Sequence, residues 1–294
     1  MIIFPKYINR GQNEKKYIFN LIKSWCIFSI FILFMIIFSI FIYIAVKGLP
    51  TLNLNFLLEM PKGTPLGTQG GIYPAIIGSL YLLIISCTFA TILALSTSIY
   101  LVFYCKNSRV KYFFNLIIRS IAGIPSIILG LFGYSFLVYH LNLGRSLLSG
   151  GLTLGIMILP YIQTQTEKIL SEYHTTIINS SYALGISKSY TINKLILPHC
   201  IGDILSTIIL SGGFAMGAAA PIIMTAVVIY APSPDNLLSP IMALPYHLYI
   251  LIGEGISVSN AYATALVLLI LLLIINFLAL SVAKLLKSYF TNGG

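Results

Sequence analysis

Six long stretches of this chain carry almost no charge, and that decides which solvent it folds in. They lie at about 24–46, 74–104, 114–140, 149–166, 200–230 and 258–283, and the first includes 22 consecutive uncharged residues from Trp25 to Val46. A helix crosses the hydrocarbon core in about 20 apolar residues, so each stretch predicts a transmembrane helix. Lipid cannot hydrogen-bond a backbone, which leaves helices and closed barrels as spanning structures. A barrel would show alternating segments of about 10 residues, and none is present. Of the 294 residues, 58% are hydrophobic and 8% charged, against about 25% charged in soluble chains. The fold class read from the sequence is therefore all-α, a polytopic membrane protein with six transmembrane helices. The first run is longer than a secretory core of about 7–15 residues and no small-residue cleavage site follows it, so it is expected to remain a span. The second and fifth runs exceed the minimum and must tilt, kink or extend into water.

The 17 Lys and Arg outnumber the 7 Asp and Glu, for a net charge of +10. In a soluble chain that excess would suggest nucleic acid, but here it alternates across successive apolar runs, and no nucleic-acid partner is expected. Lys6, Arg10, Lys15, Lys16 and Lys23 fall on one side, with Lys106, Arg109, Lys111 and Arg119, then Lys168, Lys188 and Lys194, and finally Lys284 and Lys287. Only Lys47, Lys62 and Arg145 fall on the other. Cytoplasmic loops collect Lys and Arg, so the crowded side, with both termini, is read as cytoplasmic. The organisation is then a cytoplasmic segment at 1–23, a first span at 24–46, and an outer loop at 47–73. A core of five spans follows across 74–284, with a cytoplasmic loop at 167–199, and the chain ends in a tail at 285–294. The Pro- and Gly-rich loop 47–73 reads as an ordered cap, and 231–257 as a second outer segment.

Enzymatic chemistry finds no foothold. His140, His174, His199 and His247 are far apart, and no metalloprotease, serine-hydrolase or Walker pattern occurs. Cys26, Cys87, Cys105 and Cys200 form no C-x-x-C pair and read as small buried hydrophobes. No catalytic residue, metal or cofactor is expected, and uphill transport would draw on a partner or an ion gradient. Asp203 and Arg119 are the charges at issue within spans. Near the inner ends, they fit helix capping or interfacial solvation and snorkelling better than a proton relay.

The inner segment holds a sharper pattern. It reads Asn179-Ser180-Ser181-Tyr182-Ala183-Leu184-Gly185, then nine residues, then Leu195-Ile196-Leu197-Pro198. Small Ser180, Ser181 and Ala183 would let a short helix approach another protein closely. Gly185 suits the left-handed residue that ends a helix, and Leu197-Pro198 suits the start of the next. On geometry alone a plain connector between two spans is equally open. The spacing, however, resembles the E-A-A-x-x-x-G-x(9)-I-x-L-P signature of ABC importer permease subunits. Asn179 stands at the Glu, Ser180 and Ser181 at the two Ala, and Leu195 at the Ile, while Gly185, Leu197 and Pro198 match.

Further segments are similar to those of phosphate importer permeases: Gly71-Ile72-Tyr73-Pro74 through Gly78, and Ala122-Gly123-Ile124-Pro125-Ser126 through Gly130. Pro160, after Leu152-Thr153-Leu154, and Pro245, after Ala243-Leu244, are more like the A-type subunit than its C-type partner. The resemblance implies a type I ABC importer permease fold in the inner membrane. It further implies that the chain forms half of the pathway of an ATP-driven phosphate importer. Its partners would be a C-type permease, ATP-hydrolysing subunits reached through the inner loop, an external phosphate-binding protein, phosphate itself and the surrounding lipid.

One departure stands out. Where the family has R-A-x-G-E-T-A-P, this chain has Phe214-Ala215-Met216-Gly217-Ala218-Ala219-Ala220-Pro221, so Phe214 replaces the Arg and Ala218 the Glu. Residues four apart share a helix face, and losing both leaves no orphan buried charge. The pathway implied by the resemblance comprises Ser211, Phe214, Gly217, Ala218, Pro221 and Thr225, with Ser211 and Thr225 as neutral donors to an oxyanion. Close helix packing is the other reading of Gly212, Gly213, Gly217 and Ala218 to Ala220. A permease for a different oxyanion, and a non-transporting scaffold that holds the ATPase for phosphate signalling, stay open beside the phosphate reading.

Overall fold

Long apolar runs form helices here, and two of them break where glycine and proline coincide. The computed structural model describes residues 6–292, with side chains outside the description at 6–15, 173–177, 179, 182 and 287–292. Helix α1 (Lys6–Gly48) leads into a 3-10 turn, the short α2 (Leu54–Leu58), and a hairpin of β1 (Pro61–Lys62) and β2 (Gln69–Gly70). The hairpin is antiparallel, with Pro61 opposite Gly70. Next come α3 (Tyr73–Ile99), prolonged by a π turn to Tyr104, and α4 (Ser108–Ala122). Helix α5 (Ser126–Gly133) is prolonged by a π turn to His140, and α6 (Leu147–Ala183) follows. The single turn α7 (Lys188–Tyr190) passes through a π turn into α8 (Leu197–Met216). Then come α9 (Ala220–Thr225), α10 (Leu244–Gly253) and α11 (Val258–Asn292).

Four of the expected segments take a different form. The stretch 114–140 is not one span, because α4 and the helix from Ser126 to His140 meet at 99°. Pro125 has no N–H to donate, and Ile124 before it is driven out of helical conformation. Helix α4 consequently buries none of its residues. The stretch 200–230 stops as a span at Met216 and resumes as the six-residue α9, after which Val227 pairs in parallel with Ile241. The expected outer segment 231–257 contains α10, preceded by a wholly buried run from Ile241 to Leu244. Finally, the span at 149–166 and the helix expected in the inner loop are one element. Helix α6 runs 37 residues straight past Pro160, about 55 Å at 1.5 Å per residue.

The bundle is built around α3 and α6, which lie along each other, with α8 against both and α11 against α8. Small residues permit this. A Cβ on Gly155 would stand 2.6 Å from Phe89, and one on Gly151 would collide with Ile85. Buried apolar residues form three clusters along the bundle. One, beneath the end of α6, joins Phe103, Leu170, Ile192 and Ile196. A second joins Leu82, Leu154, Ile158 and Ile222, and a third Phe56, Ile72, Met242 and Val267. Helix α1 stands apart: residues 16–40 are exposed on every side. It meets α11 near Tyr43, whose ring lies edge-on to Tyr262 at 5.7 Å.

Three of the motif glycines mark places where backbone approaches backbone. A Cβ on Gly78 would fall on the carbonyl oxygen of Met242, one on Gly130 would lie 2.9 Å from the Cα of Pro221, and one on Gly71 would crowd the carbonyls of Phe56, Asn55 and Glu59. Gly253, by contrast, has open space around it. Gly78→Ala is expected to cost about 3 kcal/mol and Gly253→Ala to stay within about 1 kcal/mol of wild type. Unfolding in detergent measures both, and equal stability of the two variants would contradict the Gly78 contact.

Candidate coupling tip and translocation face

The end of α6 is closed by backbone hydrogen bonds. Leu184 N–H donates to the carbonyls of Ser180 (3.3 Å) and Ser181 (3.2 Å), and Ile186 N–H donates back to Ser181 at 3.0 Å. That last bond requires the residue between to be left-handed, and Gly185 has φ +70°. Ser187 then caps α7, accepting from Tyr190 N–H at 3.4 Å. Ile178, Ile192, Ile196 and Cys200 fold beneath this turn onto Phe103 and Leu170. Cys200 is thus the buried hydrophobe expected, whereas Cys26 is exposed and Cys87 and Cys105 are half-buried.

What projects from this base is small. Ser180, Ala183, Leu184 and Gly185 are exposed, with Leu184 at 77%, while Ser181 turns inward. The side chain of Asn179 lies outside the described residues. Leu195, Leu197 and Pro198 are half-buried and belong to the base of the tip. Lys188 fastens that base to α3: its Nζ donates to the carbonyl of Phe103 and sits 4.6 Å over the Tyr104 ring. Nothing in the motif spacing marks Lys188 for this role.

The residues expected to line a pathway separate into two groups. Phe214 is 69% exposed, Gly217 is open, and Ala218 is half-buried at the break after α8. Ser211 and Thr225 reach no open surface. Ser211 is 2% exposed with its hydroxyl donating to Thr207 O at 2.6 Å, and Thr225 is fully buried with its hydroxyl donating to Pro221 O at 2.8 Å. Pro221 is buried against Gly130. Helix packing involves Gly212, where a Cβ would meet Leu83 and Cys87, and Gly213, where one would stand 3.4 Å from Asn276; a Cβ on Gly217 would touch no other helix. Asp203 stands inside α8, half-buried and too far from its start for a cap, and Arg119 is exposed in the last turn of α4.

At the opposite end, polar side chains lock the re-entrant pieces. Ser79 Oγ accepts from Leu244 N–H at 2.8 Å and so caps α10. Asn260 donates to the carbonyls of Gly67 (2.8 Å) and Thr68 (3.2 Å), and Tyr230 OH donates to that of Leu66. Burial, and then neighbouring Tyr246, raise the Tyr230 phenol above its ordinary range. The bonds from Asn260 and Tyr230 hold the 66–68 turn against α11 and the chain that follows α9. The Thr264 hydroxyl donates to Asn260 O at 2.8 Å, so the contact at 3.2 Å from His247 Nδ1 is assigned as Nδ1–H donating to it. Gln163 has both side-chain polar atoms buried without a partner, as has the hydroxyl of Thr166. A pair of amides, Gln163 and Gln165, in an otherwise apolar span was the signal that could have found Gln163. No group of three metal-ligating side chains occurs among the described residues.

Among those residues, five helices are long and apolar enough to cross a membrane, or six if the bent pair is one span. Together with a small-residue helix tip folded on the cluster around Phe103 and Leu170, they define a polytopic all-α membrane protein. Residues 94–289 match the model of the binding-protein-dependent transport system inner membrane component. The chain belongs to that family and is a membrane component of a transport system.

Among its relatives, the probable phosphate transport system permease protein PstA of Methanocaldococcus jannaschii is 31% identical over 245 residues, 81% of this chain and 84% of that one. PstA 2 of Mycobacterium tuberculosis is 28% identical over 79% of this chain and 76% of that one. The probable ABC transporter permease protein YqgI of Bacillus subtilis is 28% identical over 65% of this chain and 64% of its own length. In fold, the chain is similar to one from the MetNI methionine ABC transporter in an inward-facing conformation. The TM-score is 0.60 at 17% identity, over 72% of this chain and 94% of that one.

The Lys188 tether has a direct readout. Lys188→Met should speed amide hydrogen exchange across residues 186–196 by about tenfold, because a charge-assisted bond and a ring contact are lost together. Leu184→Ser, which removes only an exposed side chain, should leave exchange there unchanged. Equal exchange in wild type and Lys188→Met would show that the tether does not hold the base.

Proposed function

We propose that this chain is a permease subunit of an ATP-driven phosphate importer, forming half of its transmembrane path. The observation that carries the substrate is the similarity to a probable phosphate transport permease along four fifths of both chains. The exposed tip around Gly185 supports the ATP-driven part. In this reading a second permease of the C type completes the path. ATP-hydrolysing subunits bind Ser180, Ala183, Leu184 and Gly185 from the cytoplasm, and a phosphate-loaded binding protein meets the cap 47–73 and the segment 231–257. Both termini are cytoplasmic, residues 1–23 precede a peripheral first span, and 74–284 form the transport core.

Coupling follows from the length of α6. The tip and the membrane interior belong to one 37-residue helix. Displacement of the tip by closing ATPase subunits is therefore delivered as rigid-body motion to the surface that α6 shares with α3 and α8. The last turn of α8 and the break after it present Phe214 and Gly217 to the path. Because that face is uncharged, the cations that attract phosphate at this depth come from the partner permease. An importer of a different oxyanion is the second reading, favoured by the same uncharged face.

Phosphate uptake into vesicles carrying the full complex, with loaded binding protein and ATP, tests the substrate. Uptake of another oxyanion without phosphate would replace the first reading with the second, and ATPase binding without any uptake would support the scaffold. Gly185→Val should abolish coupled uptake, since a β-branched residue resists φ near +70°, and wild-type coupling in that variant would exclude the docking role. Orientation is tested by a lone cysteine at position 184 with the native cysteines replaced. Labelling from the cytoplasmic side is expected, and labelling by an impermeant reagent from outside would overturn the topology.

A further inference from the structure

The charge that Phe214 does not supply has a counterpart at the inner end of the bundle, in a cleft between α4 and α6. Asn115, Ile118 and Arg119 of α4 and Thr164, Glu167, Lys168 and Ser171 of α6 enclose a space of ≈ 260 Å³. The one acid of this set is already matched: Glu167 Oε1 lies 3.2 Å from Lys111 Nζ. Arg119 and Lys168 are exposed, and among the described residues neither has a carboxylate within ion-pair distance. The hydroxyls of Thr164 and Ser171 donate to their own helix, at Pro160 O and Glu167 O, both 2.7 Å. The donors available to a guest are therefore the Arg119 guanidinium, the Lys168 ammonium and the Asn115 amide.

The position of the cleft narrows the guest. Helix α4 is bent 99° from the helix that follows it and buries none of its side chains. It combines the basic Arg109, Lys111 and Arg119 with the exposed Tyr112, Phe113, Leu116 and Ile117. A basic amphipathic helix with an aromatic and aliphatic face is the form that lies in a membrane interface, and basic pockets at that level hold anionic head groups. A guanidinium fork and a neighbouring ammonium fit phosphate oxygens.

We propose that the α4–α6 cleft is a binding site for a phosphate group, with Arg119 and Lys168 as its cationic ligands and Asn115 as a neutral donor. Two sources offer that chemistry, the head group of an anionic phospholipid and inorganic phosphate leaving the inner mouth of the path. Only the second rests on the phosphate-import reading.

The test uses the assembled complex in nanodiscs of phosphatidylcholine alone or with phosphatidylglycerol, comparing wild type with the double variant Arg119→Gln/Lys168→Gln. Native mass spectrometry counts retained phosphatidylglycerol, and equilibrium dialysis in phosphatidylcholine discs measures radiolabelled phosphate. Losing both cations should weaken the bound species about tenfold or more. The exchanged pair Arg119→Lys/Lys168→Arg should retain binding, which separates charge from folding, and Lys106→Gln, outside the cleft, should change neither. Loss confined to phosphatidylglycerol assigns the site to lipid and supports the proposal even if the complex carries no phosphate. Loss of a phosphate-binding component without lipid assigns it to the transported ion. Equal lipid retention and equal phosphate binding in wild type and the Gln/Gln variant would overturn the proposal.

Discussion

Two places where backbone meets backbone, Gly78 against Met242 and Gly130 against Pro221, allow this membrane bundle to contain non-helical chain. Irregular backbone survives at membrane depth only where protein satisfies its polar groups, and here the satisfaction is explicit. Val228 N–H donates to Ile241 O at 3.0 Å and Ile241 N–H to Ala226 O at 3.1 Å. On the other flank, Ser146, Leu147 and Leu148 donate to the carbonyls of Thr225, Ser239 and Leu237. Any side chain at position 78 would push Met242 away and break up this arrangement. The 66–68 turn is satisfied in the same way, by Asn260 of α11 and by Tyr230 in the chain that follows α9.

The bundle therefore has one end locked around Ser79, Asn260 and Tyr230 and an opposite end that presents one projecting element. Polar contacts at the first end are numerous and mostly buried. The other end is closed by apolar packing beneath Gly185 and by the tether from Lys188 to Phe103. Helix α6 joins the two ends without a break and packs on both α3 and α8. Pro160 does not interrupt it, since the helix continues through that position and the Thr164 hydroxyl donates to its carbonyl.

Much of this was legible in the sequence. The apolar runs located the membrane helices, the glycine after Leu184 located the end of α6, and the motif glycines marked close approaches, although a motif alone does not say what is approached. The bend at Gly123–Pro125 was in principle readable from Pro125, yet the run of apolar residues across it resembled one continuous span. Hydropathy also could not separate α9 and α10 from a span and a loop, because a re-entrant helix buried in protein is as apolar as one facing lipid. The side-chain roles of Ser211 and Thr225 were least readable. A hydroxyl in a helix can turn to the carbonyl four residues back, and both do so, which removes them from the uncharged face at Phe214.

The central claim is that ATP-driven motion enters this chain at the exposed end of α6. A photoreactive benzophenone amino acid at position 184 in the assembled complex tests it most directly. Irradiation is expected to join the chain to the ATP-hydrolysing subunit, with a yield that changes when ATP is bound. Adducts formed with lipid or with the external binding protein, and none with the ATPase subunit, would contradict it.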